Sequence, residues 1–327
     1  MAVYTEVSDE ALRAFLAAYD LGDLIAFRGI AEGVENSNYA LRTGAGDFIL
    51  TLYEKRVDPA DLPWFLALAE HLSAQGLPCP LPVKARDGVA LRELAGRPAA
   101  VCTFLPGIWP RRPRVAHCGP LGAVLARLHT AGAGIGAVRR NALGLAAWAP
   151  LLDRCRAAAD QMRPTGVPGL VAELDAALAE LLRDWPAPGA LPAGPIHADL
   201  FPDNVFFMGS PPEVSGVIDF YFACTDLLAY DVAVCLNAWC FEPDGSFSLA
   251  KARALLAAYQ ALRPLAPAER AALPVLCRGA AMRFLLTRLY DWTATPPGAL
   301  VTRKDPLEYL GRLRFFRAAD GPDALGL

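Results

Sequence analysis

Over residues 8–20 the apolar positions Leu12, Phe15, Leu16 and Tyr19 recur three and four apart, the spacing of one helix face, and Ser8 offers an N-cap. The period then shortens. Residues 24–30, 37–42 and 47–53 form short runs divided by the turn-like segments 31–36 and 43–46, which predicts three strands. A second helix is expected over 61–75, closed by Gly76 and Pro78, with two further strands over 81–84 and 99–104. Leu105-Pro106-Gly107 breaks the pattern. Beyond it helical spacing dominates, clearest over 121–129 and 171–183. A Pro- and Gly-rich stretch over 185–195 leads to two short strands, one after Asn204 and one ending at Asp219, and helices then run to about Phe316. The expected architecture is α+β: a small, mainly β N-lobe over residues 1–105, a hinge near 104–112, and a larger helical C-lobe over residues 106–327.

Composition narrows the classes. The chain is 54% apolar and 20% charged, as in ordinary globular proteins, and its formal net charge is -3. A nucleic-acid binder would carry a basic stripe; the cluster Arg111, Arg112 and Arg114 lies in a proline-rich turn and is read as a solvated loop. Glu6, Asp9 and Glu10 precede any apolar run, the wrong charge pattern for a secretory signal. The apolar stretch 230–241 is too short to span a bilayer and is interrupted by Asp231 and Asn237. A cytoplasmic protein with no nucleic-acid or membrane partner is expected; the pattern does not speak to oligomeric state. None of the eight cysteines forms a C-x-x-C pair, so they are read as reduced, mostly buried thiols.

The chemistry concentrates at Ile196-His197-Ala198-Asp199-Leu200-Phe201-Pro202-Asp203-Asn204, followed fifteen residues later by Asp219 in Val217-Ile218-Asp219-Phe220. Phosphoryl transfer to a hydroxyl needs this set. One carboxylate orients the attacking hydroxyl and accepts its proton, while an amide and a second carboxylate hold magnesium against the phosphates. Hard oxygen ligands suit magnesium, which takes few protein ligands. His197 is read as bracing the loop rather than as a base, and Asp203 as a surface turn residue.

The pattern resembles the aminoglycoside phosphotransferase and choline kinase superfamily, which shares the protein-kinase-like two-lobed fold. His-Ala-Asp-Leu stands where protein kinases carry an arginine in the loop. The resemblance runs nearly the full length, through Asn38, Leu77-Pro78-Cys79-Pro80, Phe104-Leu105-Pro106-Gly107 and the helix from Leu121 to His129. Within the superfamily the chain most closely resembles bacterial homoserine kinases, in Phe27-Arg28-Gly29-Ile30, Glu35-Asn36-Ser37-Asn38-Tyr39, Leu50-Thr51-Leu52-Tyr53-Glu54-Lys55, Ile218-Asp219-Phe220-Tyr221 and Tyr230-Asp231.

This resemblance implies Asp199 as catalytic base, Asn204 and Asp219 as magnesium ligands, and Asp231 as a brace for the loop. It implies ATP and Mg2+ as cofactors and L-homoserine as acceptor, giving O-phospho-L-homoserine for threonine biosynthesis. Two departures lie in the N-lobe. The phosphate-facing turn has only Gly29 and Gly33, and Thr51 occupies the place of the third-strand lysine, with Lys55 or Arg56 able to reach back. Trp64 and Phe65 stand where the partner glutamate is expected, and Glu70 follows a turn later. Asn38, Thr51, Lys55 and the hinge residues Thr103, Phe104 and Leu105 complete the candidate nucleotide site. An amino-acid acceptor needs a cation for its carboxylate. Arg288, sharing a helix face with Phe284 and Trp292, is the candidate, with Tyr221 and Asp226 as further acceptor-side residues. Choline, ethanolamine or an aminoglycoside remain alternative acceptors, and a nucleotide-binding pseudokinase is the alternative from another class.

Overall fold

The computed structural model describes residues 4–30, 36–54, 58–161, 167–294 and 304–327. Leu24–Gly29 (β1), Ser37–Thr43 (β2), Gly46–Leu52 (β3), Arg92–Leu94 (β4) and Arg97–Thr103 (β5) form an antiparallel sheet in the order β1-β2-β3-β5-β4. Strand β2 shows why: Ser37, Tyr39, Leu41 and Thr43 are buried while the residues between them are less so, the period-two pattern of a sheet with one covered face. The cover is helix α1, Asp9–Leu16, whose Leu12, Phe15 and Leu16 join Leu41, Leu50 and Leu52 in one core. Its N-cap is Ser8, with Oγ accepting the Ala11 N–H at 3.1 Å. The helix stops at Leu16, short of the expected end, yet Tyr19 still enters the core.

Residues 81–84, expected as a strand, form only an isolated bridge at Pro82–Cys102, with the Val83 N–H bonded to the Val101 carbonyl at 2.8 Å and the Thr103 N–H to the Leu81 carbonyl at 3.0 Å. Pro80 and Pro82 cannot donate to a ladder. The edge strand is instead β4, which sequence periodicity did not single out.

Helix α2, Leu62–Ala74, spans from the sheet to the other lobe. Asp61 at its start accepts from Arg139 at 2.7 Å, and the Trp64 indole N–H donates to the Ala137 carbonyl at 3.1 Å. The helical lobe comprises α3 (Val115–Gly132), α4 (Leu145–Gln161), α5 (Leu170–Asp184), α6 (Leu228–Trp239), α7 (Leu249–Leu262), α8 (Pro267–Ala294) and α9 (Leu307–Ala318). Two antiparallel strand pairs sit among them: Ala193–Ile196 (β6) pairs with Cys224–Leu227 (β9), and the second, enclosed between these in the chain, is the hairpin of Val205–Met208 (β7) with Glu213–Val217 (β8). Helix α6 is apolar nearly all round and is buried at the centre. Helices α3 and α7 meet closely at Gly122, where a Cβ would lie 2.1 Å from the Leu255 carbonyl oxygen. Among the described residues no helix is long and apolar enough to cross a membrane.

The hinge is tied to the β7–β8 hairpin. Ser215 Oγ donates to the Pro106 carbonyl at 2.7 Å, and Ile108 and Phe207 exchange backbone bonds at 3.1 and 2.9 Å. Gly107 is needed between them: its φ is 129° and a Cβ would fall 2.3 Å from Ser215 Oγ.

Candidate active site

The signature loop leaves β6 at Ile196 and is fixed from beneath by Asp231, which projects from the first turn of α6. Its carboxylate is fully buried and accepts the His197 N–H at 2.8 Å and the Ala198 N–H at 2.9 Å. Those two bonds hold Ala198 in the left-handed region, φ 62°, an uncommon conformation for a residue with a Cβ. A third partner is His129 of α3, with Nε2 3.2 Å from Asp231 and Nδ1 2.8 Å from the Tyr259 hydroxyl. Arg263 donates to that hydroxyl at 2.9 Å, and because the Asp231 carboxylate can only accept, a His129 proton sits on Nε2, facing it. Glu269, buried, closes the chain by accepting from Arg263 at 2.8 Å. Burial pushes the Asp231 carboxyl upward, but the His129 bond and the surrounding donors outweigh it and hold the group below the usual carboxylate range.

His197 is wholly buried and turned into the loop. Nε2 lies 2.9 Å from the Ile218 carbonyl, which can only accept, so Nε2 carries the proton and Nδ1 takes the Asp199 N–H at 3.3 Å. Desolvation lowers its basicity, so the ring is neutral at pH 7 and links the loop to the strand leading into Asp219.

Asp199 projects beyond this frame. Burial raises its carboxyl above the usual range, opposed chiefly by Arg283 of α8. Arg283 is 2% exposed, donates to the Ala198 carbonyl, lies 3.8 Å from an Asp199 oxygen and stacks 4.3 Å from the Phe284 ring centroid. Sequence reasoning missed Arg283. The signal available was a charge standing alone in Ala280-Ala281-Met282-Arg283-Phe284-Leu285-Leu286, where only a buried anion or carbonyl can accommodate it.

Asn204 ends a short 3-10 turn after Pro202, and its Nδ2 donates to the Asp199 carbonyl at 2.8 Å. With the amide nitrogen so committed, Oδ1 is the atom turned to other partners. Asp219 follows β8 with φ 65° and ψ 61°, a second left-handed residue with a side chain. Ile218 N–H bonds the Asn204 carbonyl at 3.0 Å, which brings the two segments side by side. An amide oxygen and a carboxylate on adjoining strained segments are a hard-oxygen donor set of the kind magnesium takes.

The remaining expected residues are spread more widely. Thr51 is buried in β3 and donates through Oγ1 to Asn38 Oδ1 at 2.8 Å, the two being register partners across β2 and β3. No cation stands at that place; a satisfied neutral pair does. Gly29 ends β1, whereas Gly33 and Lys55 lie outside the described residues. Glu70 pairs with Lys84 at 3.1 Å rather than facing the strand centre. Thr103 N–H is committed to the Leu81 carbonyl at 3.0 Å, Phe104 is 47% exposed, and Leu105 lies over Gly216.

Three residues expected to meet the acceptor have other partners. Tyr221 stands between the lobes, with its ring centroid 5.3 Å from Tyr53 and 5.8 Å from Phe65. Asp226 accepts from Asn141 at 2.7 Å and so anchors the loop before α4. Arg288 is bound to Glu308 at 2.6 Å and to the Asp305 carbonyl at 3.0 Å, because α9 brings an acid to the face it shares with Phe284. Trp292 is half-buried against the helical core. All eight cysteines are free and all but Cys102 are buried; burial pushes thiols such as Cys79 up to about 12, out of reach of nucleophilic chemistry.

Comparison with known proteins gives the family and the fold. The chain is 69% identical over 327 residues to a homoserine kinase of Gluconacetobacter diazotrophicus, covering 100% of both chains, and 69% identical over 315 residues to a homoserine kinase of Acidiphilium cryptum, covering 96% of each. Among solved structures it resembles an amicoumacin kinase in complex with AMP-PNP and Ca2+, with a TM-score of 0.68 at 17% identity over 95% of this chain and 92% of that one. A choline kinase of Cryptosporidium parvum superposes with a TM-score of 0.63 at 12% identity, over 95% of this chain and 94% of that one, so the fold is protein-kinase-like. The family model described as phosphotransferase enzyme family matches residues 26–265, and the chain belongs to that family.

Proposed function

We propose that this protein is a homoserine kinase, transferring the γ-phosphoryl group of ATP to the side-chain hydroxyl of L-homoserine. The observation that carries the reaction type is the joint fixing of Asp199, Asn204 and Asp219 by Asp231, His197 and the Ile218–Asn204 bond. The full-length identity to proteins named homoserine kinase supports the acceptor.

Asp199 is the base. It accepts the proton that the acceptor hydroxyl loses as its oxygen bonds to phosphorus and the bond to the ADP oxygen breaks. Its raised pKa favours this task, because a base works best with a pKa nearer the working pH. Arg283 keeps the carboxylate ionised and holds it in place, and His197 and Asp231 prevent the loop from relaxing. Asn204 and Asp219 would hold magnesium; bound there, the ion neutralises charge on the phosphates. Residues 1–105 act as the nucleotide clamp, with the amides of Phe104 and Leu105 for the base, and residues 106–327 carry the catalytic, metal and acceptor groups. In place of a third-strand lysine, Thr51 and Asn38 offer neutral polar groups, and Gly29 ends the neighbouring strand β1.

Initial rates of ADP formation with homoserine, choline, ethanolamine and an aminoglycoside test the reading. Homoserine is expected to be turned over with O-phosphohomoserine as product. Turnover of another alcohol with none of homoserine would overturn it.

A further inference from the structure

Behind the catalytic turn lies a cavity of about 310 Å³, walled by the loop after the hinge, by Phe201–Asp203, and by residues of α7, α8 and α9. Six basic side chains line it, Arg111, Arg112, Lys251, Arg288, Lys304 and Arg312, against three acids, Asp203, Glu242 and Glu308. Each acid is already engaged. Lys251 pairs with Glu242 at 2.7 Å, Lys304 with Asp203 at 3.7 Å, and Arg288 and Arg312 share Glu308. Arg111 and Arg112 are different: among the described residues neither pairs with an acid, and Arg111 lies 5.8 Å from the Trp109 ring centroid. The cavity therefore carries a surplus of positive charge, including the exposed guanidinium groups of Arg111 and Arg112.

A surplus of cations around one pocket attracts an anion, and a guanidinium fork matches the two oxygens of a carboxylate. The position suits the acceptor. Phe201 in the wall is two residues from Asp199, which limits the separation along the chain to about 7 Å. Helix α9 stiffens the far wall, with Arg288 and Arg312 each stacked on Tyr309, at 4.4 and 4.3 Å from its ring centroid.

We propose that this cavity is the carboxylate subsite of the acceptor, with Arg111 and Arg112 gripping the α-carboxylate of an amino-acid alcohol whose hydroxyl reaches Asp199. The inference rests on the reading of the chain as a homoserine kinase and deepens it. It assigns selection of the acceptor to a loop that composition alone marked as a solvated turn. It predicts weak turnover of choline-like acceptors, which bring a cation and no carboxylate to the cavity.

The test compares homoserine with 2-amino-1,4-butanediol, which keeps the reacting hydroxyl and the amine but lacks the carboxylate. In the wild type, kcat/KM for homoserine is expected to exceed that for the diol. In an Arg111→Gln, Arg112→Gln double variant, that advantage falls by about 10- to 100-fold, the scale of one or two hydrogen bonds to a charged group. Arg112→Lys, which keeps the charge and loses the fork, gives an intermediate loss. Both arginines are exposed, and urea unfolding confirms that the variants fold. A double variant that keeps the discrimination, or that loses both substrates in equal proportion, overturns the subsite. So does calorimetry in which inorganic phosphate binding disappears in the double variant while its discrimination stays intact, since the cavity would then serve a free oxyanion. A wild type idle on homoserine but active on another alcohol fails the functional reading instead.

Discussion

Replacing Asp231 by asparagine keeps its size and removes its charge, and so isolates what the buried carboxylate does. The carboxylate accepts from His197 and Ala198 at 2.8 and 2.9 Å and faces His129 at 3.2 Å. An asparagine can meet one of the two amides through its oxygen, but its NH2 group then points at the other donor. One charge-assisted hydrogen bond is lost, worth about 1.5–3 kcal/mol, and a buried N–H is left unsatisfied, costing about 1–3 kcal/mol more. The sum, about 2.5–6 kcal/mol, brackets the cost of breaking a buried ion pair from one side, about 3–5 kcal/mol. Urea unfolding at pH 7 measures this directly, and kcat should fall with it because Ala198 no longer holds its left-handed conformation. The pH dependence has a definite sign. The folded pKa of Asp231 is depressed, so its stabilisation is complete above the unfolded value of about 3.9 and is lost as pH falls through the folded value. The gap between wild type and variant should therefore hold near neutrality and close below about pH 4. A variant within about 1 kcal/mol of wild type at pH 7, or one destabilised with kcat intact, would refute the role of Asp231 as the loop's anchor.

Asp199→Asn should keep the loop's bond to Asn204, which uses the backbone carbonyl, and should lower kcat by about 10²- to 10⁴-fold in the ADP-formation assay. Arg283→Met should lower kcat/KM and move the acid limb of its pH profile upward, because the cation that opposes burial at Asp199 is gone; an unmoved limb would count against the pairing. Gly107→Ala places a Cβ 2.3 Å from Ser215 Oγ at a φ of 129°, and should cost about 1–3 kcal/mol in urea titrations and raise the KM for ATP.

What the sequence revealed and what it hid follow from range. The stretch from His197 to Asn204, and Asp219, were legible because phosphoryl transfer constrains residue types within one loop and one hairpin. The first three strands, the strand over 99–104 and the first two helices were legible because apolar period and turn residues are local. The strand expected at 81–84 failed because its apolar run outweighed two prolines in the reading, whereas hydrogen bonding obeys the prolines. Arg288 attracted attention as an arginine on an aromatic face; its neutralising Glu308 comes from another helix and could not be foreseen. Arg283 and the pairing of Arg111 and Arg112 with a cavity were hidden for the same reason. Each acts on the loop from a distant segment, and a single sequence carries no signal for such a meeting beyond an odd charge in apolar surroundings.

The long reach of those contacts bears on how the enzyme is made. His129 meets Asp231 across 102 positions and Tyr259 across 130, and Arg283 meets Ala198 across 85. A growing chain therefore displays its whole signature motif well before it has the means to shape it. At ordinary synthesis rates, the residues between Asn204 and Arg283 take roughly 4–16 s to follow. A chain stopped between Asp219 and Tyr259 holds Asp199, Asn204 and Asp219 but lacks Tyr259 and Arg283. Turnover is therefore expected to begin only once α7 and α8 have docked, so that shorter chains spend no nucleotide.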